Sequence, residues 1–179
     1  MKLDNIVELL GCVPLFNGLN DEQLARLAFE GEKVLIHSER PIISKDQAGD
    51  AAYLIVDGTA LRISGPGIKG QPEILKTGTF IGEMAMLIAT HYGSTIIAYG
   101  EVKALRFSYM QMQNIMQSDV SLAQHFAEHV RTRFTTFTSQ LKQLETEMFN
   151  DDEGEMAIPS ESTIASMAST FVNSGQNLQ

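Results

Sequence analysis

Between Glu32 and Ser108 the chain breaks into short runs rich in β-branched and aromatic residues, separated by turn-forming residues. The runs are Lys33 to His37, Pro41 to Ile43, Ala52 to Val56, Thr59 to Ile63, Glu73 to Lys76, Ser94 to Tyr99 and Val102 to Phe107. Short strands at this spacing predict a mainly β fold, an antiparallel jelly-roll barrel or double-stranded β-helix. Gly49-Asp50 and Asp57-Gly58 bracket Ala52 to Val56 and read as the limits of a strand–turn–strand unit. Ser64 to Gly70, which holds Gly65, Pro66 and Gly67, reads as a hairpin tip.

Helical patterns flank this region. Ile6, Leu9 and Leu10 recur at helical spacing, Val13-Pro14-Leu15-Phe16 breaks that helix, and Asn20 stands where the N-cap of the next belongs. Leu24, Leu27 and Ala28 form that helix's apolar stripe, with Asp21 and Glu22 favourably in its first turn. Tyr109 to Met116 predicts a short helix, and Val120 onward a long one. In the long helix Phe126, Val130, Phe134, Phe137, Leu141, Leu144 and Met148 recur at steps of 4, 4, 3, 4, 3 and 4. That alternation makes a narrow apolar seam. Its first half suits packing on the chain's own barrel; Phe134, Phe137, Leu141, Leu144 and Met148 suit a partner helix equally well.

One stretch reads as a ligand-gripping device. Turn chemistry at Lys76-Thr77-Gly78-Thr79 leads into Phe80, and Gly82-Glu83 precede the apolar run Met84 to Ile88. A glycine lets backbone approach a ligand closely, and a helix start leaves N–H groups unpaired, which together make a phosphate-sized cradle. Glu83 has a plainer reading as well, as a carboxylate that stabilises a helix N-terminus.

This stretch resembles the phosphate-binding cassette of the cyclic nucleotide-binding domain family, the superfamily of the catabolite activator protein and the protein kinase A regulatory subunit. The family pattern is roughly Phe-Gly-Glu-x-Ala-Leu, a short gap, then Pro-Arg-Ala-x-Thr. Gly82-Glu83-Met84-Ala85-Met86 matches the first half, with Ile81 between Phe80 and the glycine. Counting back from Thr95-Ile96-Ile97-Ala98, the family's arginine falls on Tyr92 and its proline on His91. The cassette is thus degenerate. Val13 to Asn20 resembles the family's helical lead-in, and Gly49-Asp50 to Gly58 its Gly-Asp-x-x-Tyr-x-Ile-x-x-Gly element.

The resemblance implies a non-enzymatic, stand-alone regulatory domain that senses cyclic AMP, cyclic GMP or a related small phosphorylated ligand. It implies that Glu83 accepts from a ribose hydroxyl, that the Met84 and Ala85 amides face the phosphate, and that the long helix closes over the ligand and dimerises. Gly82, Glu83, Met84, Ala85, Tyr92, Gly93, Ser94 and Thr95 are the expected ligand contacts. Tyr92 brings no charge, and losing a charge-assisted phosphate contact in a desolvated pocket costs several kcal/mol; binding is therefore expected to be weak. The alternative is a protein-interaction module that has lost nucleotide binding.

Composition narrows the rest. A formal net charge of −9 opposes attraction to nucleic acid and to anionic membranes. No run approaches the roughly 20 apolar residues of a membrane span, and no secretion signal is visible, so a cytoplasmic chain is expected. Too little sequence follows the long helix for a winged helix-turn-helix, so no DNA reader is expected. Cys12, the single cysteine, follows Gly11 in an apolar patch and reads as a buried thiol. The barrel shape is shared with metal-dependent cupins, but only His37 and His91 of the four histidines lie in strand territory, with no His-x-His pair. No metal, cofactor or catalytic residue is expected, and the cupin reading is the remote alternative.

The expected organisation is a helical segment over 1–30, the barrel over 31–108 with the cassette at 80–98, helices over 109–149 and an acidic, flexible tail over 150–179. In the tail Ile164, Met167 and Phe171 share a helical face.

Overall fold

The computed structural model of the chain describes residues 3–66 and 70–151, with side chains as far as residue 143. Two helices open it. Helix α1 (Leu3–Gly11) buries Ile6 and Leu10, and α2 (Asp21–Glu30) buries Leu24, Leu27 and Ala28, as their apolar spacing requires. Asn20 caps α2 as expected: its side chain accepts from the Gln23 amide at 2.9 Å, while Gln23 accepts from the Asn20 amide at 3.2 Å. Between them, a 3₁₀ turn at Pro14–Phe16 aims Leu15 and Phe16 inward. Cys12 lies outside that turn and is exposed, not buried as its apolar neighbours suggested. Those neighbours take the inward positions.

Eight strands follow among the described residues: β1 (Glu32–Ile36), β2 (Pro41–Ile43), β3 (Ala48–Gly49), β4 (Ala51–Ser64), β5 (Glu73–Lys76), β6 (Phe80–Ile81), β7 (Thr90–His91) and β8 (Thr95–Ser108). All pairings are antiparallel. The main sheet runs β1-β8-β4-β5, with β2 on β8 and β6 on β4, and β3 pairs β7 separately. The jelly-roll expectation holds for the fold, with one correction: the sheet is not closed by hydrogen bonds into a barrel.

A second correction concerns the two longest strands. The sequence predicts Ala52–Val56 and Thr59–Ile63 as separate strands, and likewise Ser94–Tyr99 and Val102–Phe107. Each pair is one continuous strand of 14 residues, β4 and β8, paired from Ala51↔Ser108 to Ser64↔Thr95. Asp57-Gly58 is therefore no turn. Register shifts flank Asp57, and Gly58 (φ 101°) and Gly100 (φ 82°) adopt the left-handed conformation there, so the ladder bends without breaking. A Cβ at Gly58 would stand 2.5 Å from the Glu101 carbonyl oxygen, which bars any side chain from this bend.

After β8, Ser108 and Gln111 form a second capping box that starts α3 (Tyr109–Ser118), and α4 (Val120–Asp151) follows. The start of α4 is anchored by buried Leu122 and Phe126 and by His125, whose Nε2 donates to the Leu15 carbonyl at 2.7 Å. Phe126 meets Phe16 edge to face at 6.1 Å. Burying a side chain of that size contributes about 1.5–3 kcal/mol. The compact body ends at Arg133, and beyond it Phe134, Phe137 and Leu141 are 54%, 58% and 46% exposed. The seam residues Leu144 and Met148 and the tail residues Ile164, Met167 and Phe171 lie outside the described side chains. Among the described residues no helix is long and apolar enough to cross a membrane.

Candidate ligand-binding site

The site starts from Gly82. Its backbone is left-handed (φ 72°, ψ 30°) and caps a 3₁₀ turn over Glu83–Met86. A Cβ there would be conformationally strained and would lie 3.1 Å from the Tyr92 ring. The Ala85 amide donates to the Gly82 carbonyl at 2.9 Å, so it is taken by the turn and does not face a phosphate as the resemblance implied. Ala85 itself is buried against Gly49, where an added Cβ would come within 2.6 Å of its methyl group.

Tyr92 also sits otherwise than expected. Its ring lines the cavity, but its hydroxyl turns inward, 2.8 Å from the Ala51 carbonyl and 3.0 Å from Asp50 Oδ1, and accepts from the Asp50 and Ala51 amides at 3.3 and 3.2 Å. Burial pushes the phenol up to about 12, against the pull of the two backbone hydrogen bonds. Arg106 Nη2 completes the group, 2.7 Å from Asp50 Oδ2. Burial pushes the Asp50 carboxyl up, yet the hydrogen bonds from Arg106 and Tyr92 outweigh it and hold the group below the usual carboxylate range. Tyr92 is thus a structural strut between Asp50-Ala51 and Gly82.

Glu83 is placed differently. Its Oε1 is buried and faces helix α4, with Arg133 Nη2 at 2.5 Å and His129 Nε2 at 3.8 Å. The Arg133 contact is ionic by distance, but neither Glu83 Oε1 nor His129 Nε2 makes a well-directed hydrogen bond among the described residues. Two cavities meet at this pair. One of about 460 Å³ runs along the cassette from Gly82 to Ser94 and is walled by Ile43, Leu75, Ile81 and Ile96. The other, of about 400 Å³, includes Cys12, Leu15 and His129. Thr79, Phe80, Glu83 and Arg133 line both.

Of the expected ligand contacts, Gly82, Glu83, Met84, Ala85, Tyr92, Gly93 and Ser94 line the first cavity. Thr95 is not among its lining residues. It opens β8, and its Oγ1 accepts from the Lys45 amide at 3.0 Å. The cavity also holds two cations that a search of the cassette stretch missed, Arg62 from β4 and Arg133 from α4. Arg62 had a signal, because strand alternation puts it on the face of buried Ala60. Arg133 had only its spacing, one helical turn beyond His129. Among the described residues no three His, Cys, Asp or Glu side chains converge as metal ligands.

The family model of the cyclic nucleotide-binding domain matches residues 33–119. Those residues belong to the cyclic nucleotide-binding domain family. The chain is 26% identical over 117 residues to a cyclic nucleotide-gated potassium channel of Rhizobium etli, covering 65% of this chain and 32% of the channel. It is 29% identical over 94 residues to the cAMP-dependent protein kinase regulatory subunit of Aspergillus niger, covering 52% of this chain and 23% of that subunit. The chain thus spans a third or less of the curated relatives it matches. Among solved structures, a cyclic nucleotide-binding-like protein from Brucella abortus superposes with a TM-score of 0.57 at 29% identity, over 64% of this chain and 99% of that one. The matched range includes Gly82, Glu83 and Tyr92.

Proposed function

We propose that this domain is regulatory rather than catalytic, binding a cyclic nucleotide or a related small phosphorylated ligand in the cavity beside Gly82 and Glu83 and relaying occupancy through α4. The observation that carries the reading is the Glu83 carboxylate, which lines the cavity while its buried oxygen is held by Arg133 of α4. A ligand hydroxyl that donates a directed hydrogen bond to Glu83 competes with that ion contact. The ligand then favours one position of the helix to the extent that its affinity differs between positions. Arg133 supplies the cation that the cassette lacks.

Calorimetric titration with cyclic AMP and cyclic GMP, run on the native chain and on Glu83→Ala, tests this. Saturable micromolar binding that disappears in Glu83→Ala is the expected result. A native chain silent toward both overturns the ligand reading.

The exposed Phe134, Phe137 and Leu141 favour a second reading, an interaction module or homodimer that uses α4 regardless of nucleotide. Truncation after Arg133 then abolishes association while the body stays folded. Retained association sinks that version.

A further inference from the structure

Helix α4 carries two histidines one turn apart, His125 and His129, which lie on one face of it. The first is bonded: His125 Nε2 stands 2.7 Å from the Leu15 carbonyl. The second lines the cavity of about 400 Å³ that also includes Cys12, Leu15 and Phe80. Its Nε2 is buried there with no hydrogen-bond partner among the described residues. Glu83 Oε1, 3.8 Å away, is likewise buried and lacks a well-directed hydrogen bond. Buried polar atoms are normally bonded, so this cavity holds two unmet requirements side by side.

The rest of the wall narrows what can meet them. The Cys12, Val13, Gly78 and Thr79 amides donate to the Leu9, Leu10, Ile55 and Lys76 carbonyls, and Pro14 has no N–H, so the backbone has few donors to spare. Val13, Leu15 and Phe80 supply an apolar side. The polar end is of mixed sign, because Arg133 Nη2 stands 2.5 Å from the same Glu83 oxygen. An anion there is repelled by the carboxylate and a cation by the guanidinium, so neither recovers the cost of its desolvation. A separation of 3.8 Å is too long for a hydrogen bond, yet one oxygen placed between the two atoms bonds to both. That oxygen must donate to the carboxylate and accept from an imidazole carrying its proton on Nε2; a hydroxyl does both.

We propose that this second cavity is a ligand site in its own right, taking an uncharged alcohol with a small apolar body, whose hydroxyl bridges Glu83 Oε1 and His129 Nε2 while its body packs against Leu15 and Phe80. The volume suits a small ligand. The site is distinct from the cassette cavity, since His129 and Leu15 line the second cavity and not the first. It stands whether or not a nucleotide binds beside Gly82. An alcohol held in this way ties the turn that carries Glu83 to α4.

Cys12 reports on the site, being the chain's single cysteine, exposed, and part of the cavity's lining. The test follows two signals in the full chain, the rate at which a maleimide alkylates Cys12 and the imidazole proton resonance of His129, assigned by its loss in His129→Leu. The probes are benzyl alcohol, its isomer anisole, which cannot donate, and the charged benzylamine and benzoate; they share a ring and differ in the head. Benzyl alcohol is expected to shift the His129 resonance saturably and to slow alkylation with the same midpoint. The other three need concentrations about tenfold higher or more, the equivalent of one directed bond to a charged group. In His129→Leu the advantage of benzyl alcohol over anisole falls to about threefold or less, because one of the two bonds is gone. A His129 resonance that benzyl alcohol leaves unmoved overturns the site. Equal action by anisole overturns the bridging hydroxyl, and strongest action by benzoate overturns the uncharged ligand by making Arg133 the anchor. An advantage undiminished in His129→Leu overturns the role of His129. The comparison of the four probes uses the native chain alone, so it decides the matter even if that variant folds poorly.

Discussion

Two polar clusters touch the cassette, one at Tyr92 and one at Glu83, and they are bonded in opposite ways. At Tyr92 the hydroxyl meets two amides, a carbonyl and the Asp50 carboxylate, and Arg106 closes the group. At Glu83 two side chains of α4, Arg133 and His129, stand 2.5 and 3.8 Å from a buried carboxylate oxygen that has no well-directed hydrogen bond among the described residues. A saturated cluster has nothing to offer a ligand and every reason to hold the fold, since stripping one partner leaves buried donors unpaired. An under-bonded one is stable enough to exist and open to competition. Tyr92 is thus tied into the scaffold, while Glu83 faces the cavity with a buried oxygen that makes no hydrogen bond among the described residues.

The largest expected effect lies at the saturated cluster. Tyr92→Ala removes a buried aromatic ring and its bonds and lowers stability by about 3–5 kcal/mol, read as a fall in the urea midpoint at constant slope. Tyr92→Phe keeps the ring and orphans the Asp50 and Ala51 amides, which costs about 1–3 kcal/mol. A loss near zero would show that this hydroxyl is not the strut described.

The same contrast has a pH signature. The Tyr92 phenol is raised from 10.0 to about 12, so its contribution is complete below pH 10 and fades as the pH climbs toward 12. Asp50 is depressed from 3.8, so its contribution is complete above that value and fades as acid carries the pH through the lowered one. Midpoints measured across both limbs should lose their alkaline slope in Tyr92→Phe; an unchanged slope would assign it to another group.

The smallest effect belongs to the other cluster. Arg133→Ala leaves stability within about 1 kcal/mol, because the arginine is more than half exposed and its ion contact is screened by water. A loss as large as that of Tyr92→Phe would erase the distinction between the clusters. If the distinction holds, the same variant changes nucleotide affinity far more than it changes the unfolding midpoint.

Much of the fold was legible because its causes are local. Asn20 caps α2 through a residue three positions on, and the apolar stripes of α1 and α2 recur at the helical period, so nothing distant is needed to read them. Glycine was read less well. At Gly58 and Gly100 it signals that a positive φ is required, but a turn and a bulge require it alike, and only pairing from Ile55↔Ala104 to Thr59↔Tyr99 distinguishes them. Cys12 failed for a related reason: its neighbours are apolar, but a 3₁₀ turn decides which of them points inward.

At the site the division is sharper. The sequence alone located Gly82 and Glu83, because a left-handed glycine before a short helical turn is a local requirement written in residue types. Only the tertiary structure decided what Tyr92 does, which cations line the cavity and what Glu83 touches. Those depend on strands and a helix that meet across long stretches of chain, Asp50 with Tyr92 and Glu83 with Arg133. Direction and distance between such partners are set by packing, which residue identity constrains only collectively.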